Sequence, residues 1–259
     1  MPDEPLQHVG VLVTRPRTQA GELVNAIESL GGNAYCFPVI EITPHDELDI
    51  RNSVEHLSQP DIVVFVSHNA VEHGIKFTNG ALIAVIGPAT AKAVRAAGRV
   101  VDIQPASGFD SEHLLAEAAF QDVAGKHVRI IRGRDGRELL AEELKKHGAI
   151  VEYLSVYERR LPKVSADMLA DIEGKWRQGL INVVTVMSVQ SLTNLIELLP
   201  EWCSAQLEST PLVTPAGRVI KEALDRYPAS RPILAPGTGA DDMVQAIIAL
   251  QSTDSGIAP

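Results

Sequence analysis

Short apolar runs rich in β-branched residues alternate along the chain with longer stretches whose apolar side chains recur every three to four positions. The short runs are typical of strands in a parallel sheet, and the longer stretches, such as the one carrying Leu23, Ile27 and Leu30, are typical of amphipathic helices. The predicted strands are residues 9–14, 33–37, 62–67, 82–87, 100–104, 128–132, 150–153, 182–187, 211–214 and 232–235. This alternation predicts an α/β fold with mostly parallel sheets.

The two halves of the chain resemble each other, which indicates an internal duplication. Residues 11–32, VLVTRPRTQAGELVNAIESLGG, align without a gap on residues 128–149, VRIIRGRDGRELLAEELKKHGA. Two further pairs of segments follow in the same order. The matched positions include Arg15 with Arg132, Ser67 with Ser188, and Pro88 with Pro215. We expect two similar α/β domains with a ligand cleft between them.

The ends of the predicted strands supply the candidate binding residues. In open α/β sheets the ligand lies beyond the carboxyl ends of the strands, where backbone N–H groups at helix starts suit carboxylates and phosphates. The positions of this kind are Thr14, Arg15, Ser67, Gly87, Thr90, Arg132, Gly133, Ser188 and Thr214. Arg15 and Arg132 recur at the same strand end, which favours contact with an anion. Ser67 and Ser188 also suit a purely structural role as helix N-caps.

Composition narrows the choice of ligand and compartment. A formal net charge of -10 argues against nucleic acid or a membrane surface as partner, so an anionic ligand must be held by a few local bases and amides. The opening MPDEPLQHVG has no basic or apolar segment of a signal peptide, and no apolar run is long enough to span a bilayer. We therefore expect a cytoplasmic protein with reduced Cys36 and Cys203.

The motifs of common cofactor and metal sites are absent from the sequence. The turn after the first strand reads Thr14-Arg15-Pro16-Arg17, without the glycines of a dinucleotide site or a P-loop. Neither serine lies in a G-x-S-x-G elbow, and no H-E-x-x-H pair occurs. We expect no cofactor and no metal.

Taken in order, several segments resemble the uroporphyrinogen-III synthase family. They are VLVTRP, FPVIEITP, DIVVFVSHNAV, AVIGPATAKAV, IIRGRDGRELLAEEL with VEYLSVYERR, and VVTVMSVQSL. The resemblance implies two flavodoxin-like (Rossmann-like) domains joined by a two-stranded β-ladder. One domain is discontinuous, residues 1–40 with 162–259, and the other spans 43–157, with linkers near 38–44 and 154–162. The terminal residues 251–259 are polar, and we expect them to be disordered.

The resemblance also implies a reaction and roles for residues. The family are cyclising lyases of tetrapyrrole (porphyrin and heme) biosynthesis that dehydrate linear hydroxymethylbilane to uroporphyrinogen III and invert its last pyrrole ring. Tyr157 of the second linker matches the proposed catalytic acid, and Thr90 matches the threonine of the family's G-x-x-T turn. The second copy has Gly217 where that threonine is expected, so Thr214 and Arg218 are only fallback candidates there. A monomer is expected, with at most a transient contact with the preceding pathway enzyme.

A second function class remains open from the residues. Two α/β domains around an anion-holding cleft also suit a cytoplasmic binding or sensor module that closes on an anionic metabolite without catalysis. A nucleotide-sugar transferase would need a ribose-binding acidic residue after a glycine-rich turn, and the sequence has none.

Overall fold

The computed structural model describes residues 4–134 and 138–254 of the chain. Its strands are β1 (Gly10–Val13), β2 (Asn33–Cys36), β3 (Glu41–Pro44), β4 (Ile62–Phe65), β5 (Leu82–Val85), β6 (His127–Gly133), β7 (Ile150–Arg160), β8 (Val183–Thr185), β9 (Leu212–Thr214) and β10 (Pro232–Leu234). Its α-helices are α1 (Arg17–Glu28), α2 (Glu47–Glu55), α3 (His68–Gly74), α4 (Pro88–Ala96), α5 (Ser111–Ala116), α6 (Ala118–Gln121), α7 (Leu139–Lys146), α8 (Ala166–Arg177), α9 (Val189–Leu198), α10 (Glu201–Gln206), α11 (Gly217–Arg226) and α12 (Ala240–Asp254).

The chain divides into two compact units, each built on one sheet. The first unit is the described part of Met1–Glu41 and Leu161–Pro259, and the second is the described part of Ile42–Arg160. In the first unit the strand order is β10-β9-β8-β1-β2, and every neighbouring pair is parallel. In the second unit the order is β3-β7-β6-β4-β5, with β7, β6, β4 and β5 parallel. The predicted α/β class with mostly parallel sheets is confirmed.

The sheet of the first unit is covered by helices, and this explains its apolar strands. All four residues of β1 are buried, as are all three of β8 and of β9. Leu23 and Ile27 of α1 pack in one cluster with Met243 and Ile247 of α12. Strands covered on both faces bury both sets of alternating side chains, so their sequences are continuous apolar runs.

The sheet of the second unit separates two apolar clusters, one on each face. Val63 and Phe65 of β4 belong to the cluster that includes α3 and α4, while Ile62 and Val64 belong to the cluster that includes α5 and α7. This alternation is the period-two rule of a strand. Helix α3 approaches β6 closely at Gly74, where a Cβ atom would lie 2.5 Å from Cγ2 of the buried Ile131.

We expect Gly74→Ala to lower the free energy of unfolding by about 1–3 kcal/mol, because the added methyl group overpacks the contact between α3 and β6. Urea denaturation followed by circular dichroism measures this loss. Gly21→Ala is the matched control, since a Cβ atom at Gly21 meets nothing within 4 Å. Gly21 is exposed inside α1, where alanine stabilises a helix by roughly 0.5–1 kcal/mol. Equal effects of the two substitutions would contradict the packing argument.

The structure corrects three predictions made from local sequence. Residues 100–104 form no strand: Ile103 makes only an isolated bridge to Ala84, because the Asp102 carboxylate accepts the Ile83 N–H at 2.8 Å in place of a backbone partner. The strand predicted at 150–153 continues to Arg160 as β7, beside the additional strand β3. Residues 251–254 belong to α12 rather than to a disordered tail, and 255–259 lie outside the described residues.

Candidate functional site

A cavity of about 370 Å³ lies in the second unit, beyond the carboxyl ends of its central strands. Strands β4, β6 and β7 bring four of the sequence-predicted residues to it. These are Ser67, Arg132, Gly133 and Tyr157. The remaining lining residues are Val66, Ile86, Phe109, Asp110, Ser111, Ile130, Leu140 and Arg159. The cavity occupies the place where α/β sheets bind ligands.

Tyr157 presents its hydroxyl group to this cavity from an otherwise buried ring. Only 2% of the residue is exposed, and its hydroxyl shares a 3.1 Å hydrogen bond with Ser67 Oγ. Ser67 is also the N-cap of α3, where Oγ accepts the Ala70 N–H at 3.2 Å. The ring centroid lies 6.1 Å from that of His73. The capping role of Ser67 and its contact with the candidate catalytic tyrosine therefore coincide.

An irregularity in strand pairing sets the direction of the Tyr157 side chain. Arg132 pairs with Ser155, but the next residue, Gly133, pairs with Tyr157, so Val156 is an extra residue in β7. Tyr153 packs against one face of the sheet, whereas Val156 and Tyr157 both belong to the cluster on the other face. Regular alternation would place Tyr157 on the face of Tyr153. The bulge instead turns it towards α3 and Ser67.

Gly133 provides the space for the Tyr157 ring. A Cβ atom at Gly133 would lie 2.8 Å from ring atoms Cε2 and Cζ and 3.2 Å from the hydroxyl oxygen. Contacts below 3.0 Å force a neighbour to move, and a buried ring has little freedom to do so. The glycine predicted as a ligand-binding position therefore has a positioning role towards the tyrosine.

Arg132 is buried at the cavity wall and has three polar or aromatic partners. Its Nε donates to the carbonyl oxygen of Gly133 at 3.2 Å, and its Nη1 donates to Glu138 Oε1 at 3.0 Å. The guanidinium carbon lies 4.7 Å from the ring centroid of Tyr153, whose hydroxyl donates to Glu138 Oε2. Glu138 and Tyr153 are not among the sequence-predicted residues, because nothing in the local sequence indicates that they are partners of Arg132.

This arrangement shifts the pKa values of both partners. The hydrogen bond from Tyr153, followed by that from Arg132, lowers the pKa of the Glu138 carboxyl. Burial, together with the neighbouring carboxylate of Glu138, raises the pKa of Tyr153 to about 12. Glu138 is therefore ionised and Tyr153 is a neutral hydrogen-bond donor near pH 7.

The cavity lining includes the exposed aromatic ring of Phe109 and the carboxylate of Asp110, which is hydrogen-bonded to His113. Phe109 is 60% exposed although it lines the cavity. Asp110 next to it caps α5 by accepting the His113 N–H at 2.9 Å, and it also contacts His113 Nδ1 at 2.5 Å. The hydrogen bond from the His113 backbone is the largest of the effects that lower the pKa of Asp110. Arg159, exposed on β7, adds a positive charge to the lining.

Two other predicted residues of the second unit lie close to this cavity without lining it. Gly87 is the N-cap of α4 and directly follows the lining residue Ile86. A Cβ atom at Gly87 would lie 3.7 Å from Cβ of Phe109. Thr90 is buried in the first turn of α4.

The predicted residues of the first unit lie at the carboxyl ends of its strands, and their hydroxyl groups have partners inside that unit. Thr14 Oγ1 donates to the carbonyl oxygen of Thr185 at 2.6 Å. Thr214 Oγ1 accepts the Ala216 N–H at 3.2 Å. Ser188 caps α9 and accepts the Ser191 N–H at 3.1 Å. Their substrate-binding role stays a prediction.

Arg15 has an unused donor. Its Nη2 donates to the carbonyl oxygen of Thr238 at 2.8 Å, while its Nε is buried and has no hydrogen-bond partner among the described residues. Burial lowers the pKa of the Arg15 guanidinium, and the nearby Glu22 carboxylate opposes this shift.

Within residues 4–134 and 138–254, no group of three or more His, Cys, Asp or Glu side chains has the arrangement of a metal site. No helix in the same described ranges combines the length and apolarity that a membrane span requires.

The fold and the cavity define an α/β protein with a cavity, beyond the carboxyl ends of parallel strands, whose lining includes a buried arginine and a tyrosine hydroxyl. The sequence model of uroporphyrinogen-III synthase HemD matches residues 21–245. The chain therefore belongs to the uroporphyrinogen-III synthase family.

Individual relatives agree with this assignment. The chain is 30% identical over 203 residues to the uroporphyrinogen-III synthase of Escherichia coli, covering 75% of this chain and 81% of that protein. It is 32% identical over 197 residues to the Proteus mirabilis uroporphyrinogen-III synthase, covering 73% and 98%. A crystal structure of a mutant uroporphyrinogen III synthase from Thermus thermophilus has a similar fold, with a TM-score of 0.61, 18% identity and coverage of 94% and 99%.

Proposed function

We propose that this protein is a uroporphyrinogen-III synthase that dehydrates and cyclises hydroxymethylbilane, with inversion of the last pyrrole ring, at the cavity of the second unit. The observation that carries the proposal is the buried Tyr157 hydroxyl, held by Ser67, in a cavity that the buried Arg132 also lines, in a chain of this family. The reaction makes it a lyase that needs no cofactor.

In the proposed mechanism Tyr157 is the acid that removes the hydroxyl group of the substrate. The C–O bond of the hydroxymethyl group breaks, the Tyr157 O–H proton joins the leaving oxygen to give water, and a protonated azafulvene and the Tyr157 tyrosinate remain. The substituted position of the last pyrrole ring then attacks the exocyclic carbon of the protonated azafulvene, and a spiro intermediate forms. Fragmentation and closure invert that ring, and the proton lost at closure returns to Tyr157. A positioned acid of this kind accelerates a proton transfer by about 10²–10⁴-fold.

The substrate is an octacarboxylate, and this matches the charge of the cavity. Arg132 and Arg159 are the cations in its lining, and the Asp110 carboxylate is engaged by His113. Guanidinium groups bind carboxylates through paired hydrogen bonds. The proposed substrate-binding set retains all the predicted positions, namely Thr14, Arg15, Ser67, Gly87, Thr90, Arg132, Gly133, Ser188 and Thr214.

The proposal includes the domain organisation of the family. The strand order of the first unit, β2-β1-β8-β9-β10, reads 2-1-3-4-5 within that unit, which is the flavodoxin-like order. We assign residues 1–40 with 162–259 to one domain and 43–157 to the other, with linkers near 38–44 and 154–162 joined as a β-ladder. We also propose that the protein is a cytoplasmic monomer, which transiently contacts the enzyme that supplies hydroxymethylbilane.

The decisive experiment supplies hydroxymethylbilane to the purified protein and separates the porphyrin isomers after oxidation. We expect isomer III in large excess, because spontaneous cyclisation without the enzyme gives isomer I. Heat-denatured protein is the control for spontaneous closure. Isomer I alone, together with saturable binding of uroporphyrin III, would instead favour a non-catalytic binding or sensor module.

A further inference from the structure

Arg132, Glu138 and Tyr153 form a closed set of contacts at the wall of the cavity, which we call the Arg132 triad. Among the residues that the structure describes, each oxygen of the Glu138 carboxylate has one partner: Oε1 accepts from Arg132 and Oε2 accepts from Tyr153. The Tyr153 ring also lies against the guanidinium group of Arg132. The cation that the proposed function assigns to a substrate carboxylate is thus already paired with a carboxylate of the protein.

The two charges of this pair differ strongly in their exposure. The Arg132 side chain is 8% exposed, whereas the Glu138 side chain is 57% exposed. A buried guanidinium without a counter-ion is costly, so Arg132 must be paired in the free protein. An exposed carboxylate is readily hydrated, so Glu138 itself loses little when it leaves the pair. Glu138 can therefore leave Arg132 at low cost, but only when another anion takes its place.

We infer that Glu138 is an exchangeable counter-ion, which holds Arg132 in the free enzyme and is replaced there by a carboxylate of the substrate. This inference rests on the proposed function, because it assumes that a polycarboxylate enters the cavity. Glu138 then acts as a specificity residue: ligands without a suitably placed carboxylate do not displace it, and the buried cation stays neutralised.

Tyr153 has two separable parts in this exchange. Its ring packs against the Arg132 guanidinium, a contact that does not require the hydroxyl group. Its hydroxyl donates to Glu138 and so stabilises the resident pair against the incoming carboxylate. Tyr153→Phe removes the second contact and retains the first, which makes it a conservative probe of the exchange.

Glu138→Gln is expected to lower KM for hydroxymethylbilane by about 3- to 5-fold, because the resident competitor loses its charge. Tyr153→Phe should lower KM in the same direction by a smaller factor. In an Arg132→Met background, Glu138→Gln should change KM by less than about 1.5-fold, because residues that act through one contact are not additive. Steady-state rates over a range of substrate concentrations provide these values.

Glu142→Gln is the matched control for charge. Glu142 lies in the first turn of the same helix, α7, and is exposed, but it has no ion pair with Arg132. We expect its KM to equal that of the unmodified protein. If Glu138→Gln raises KM instead, Glu138 orients Arg132 for the substrate and the exchange is wrong.

Two readouts separate this inference from the proposed function. The dissociation constant of uroporphyrin III, a non-reacting octacarboxylate, should fall by the same 3- to 5-fold in Glu138→Gln whether or not the protein turns over hydroxymethylbilane. Ultraviolet titration of tyrosinate should show the pKa of Tyr153 falling from about 12 towards its ordinary value in Glu138→Gln, with Tyr153→Phe identifying the signal. An unchanged titration, or weaker porphyrin binding, would overturn the exchange even if isomer III is formed.

Discussion

Tyr157→Phe is expected to lower kcat by about 100- to 1000-fold, with KM changed by less than about 2-fold, because the ring remains and only the proton donor is removed. Within residues 4–134 and 138–254 the hydroxyl group has one hydrogen bond to a side chain, with Ser67 Oγ. This bond is not needed for the N-cap that Ser67 makes to Ala70. Initial rates of isomer III formation from hydroxymethylbilane measure the loss.

Tyr227→Phe is the matched control for the loss of a hydrogen bond. Tyr227 shares a 3.0 Å hydrogen bond with Ser204 Oγ in the first unit, so the substitution deletes the same pair of groups at a residue that does not line the cavity. We expect both variants to lose a similar free energy of unfolding, about 0.5–1.5 kcal/mol, and only Tyr157→Phe to lose activity. A Tyr157→Phe protein with the rate of the unmodified enzyme would show that Tyr157 packs β7 and donates no proton.

The parts of the fold that follow from burial on two faces were predictable from the sequence. Runs such as residues 62–66 are continuously apolar because helices cover both sides of the sheet. Residues 100–104 also contain three β-branched apolar residues, but Val100 is 72% exposed and the Asp102 side chain accepts the Ile83 N–H. The hydrophobic pattern alone does not show that a side chain accepts a backbone N–H in place of a neighbouring strand's carbonyl and so prevents strand pairing.

The strand-end residues that line the cavity were predictable from the sequence, but the contacts among them were not. Strand ends at matched positions of the repeat identified Ser67, Arg132 and Gly133, and the family resemblance identified Tyr157. The period-two rule places Tyr153 and Tyr157 on one face, and only the pairing of β6 with β7 reveals the extra residue that separates them. A bulge depends on the neighbouring strand, so no local pattern in β7 indicates it.

Two residues of the site that do not lie at strand ends, Glu138 and Phe109, were not predicted from the sequence, because their roles also depend on contacts outside the local sequence. Glu138 precedes α7, and its importance comes from its contact with a buried arginine six positions earlier and a tyrosine fifteen positions later. Phe109 follows no strand, and its exposed ring is informative only once the cavity is known. An exposed aromatic side chain is common enough on protein surfaces that sequence gives no reason to select it.

Gly133→Ala is expected to lower kcat by about 100-fold, because its Cβ atom would lie 2.8 Å from the Tyr157 ring and must displace it. A shift of about 1 Å in a reacting group costs roughly this factor. The backbone of Gly133 does not have a positive φ, so the effect comes from the lost space and not from strain of the main chain. Initial rates of isomer III formation again provide the measurement, at a temperature well below the unfolding midpoint.

Gly217→Ala makes the same chemical change where a Cβ atom meets nothing within 4 Å, and we expect its kcat to be unchanged. General damage to the cavity is tested by combining Gly133→Ala with Tyr157→Phe. If Gly133 acts only by positioning the Tyr157 hydroxyl, the double variant should be about as slow as Tyr157→Phe alone. In that background the hydroxyl is already absent, so displacing the ring has no further effect on proton donation. A further loss of about 100-fold in the double variant would mean that Gly133 serves the substrate directly, through the space or the backbone that it presents to the cavity.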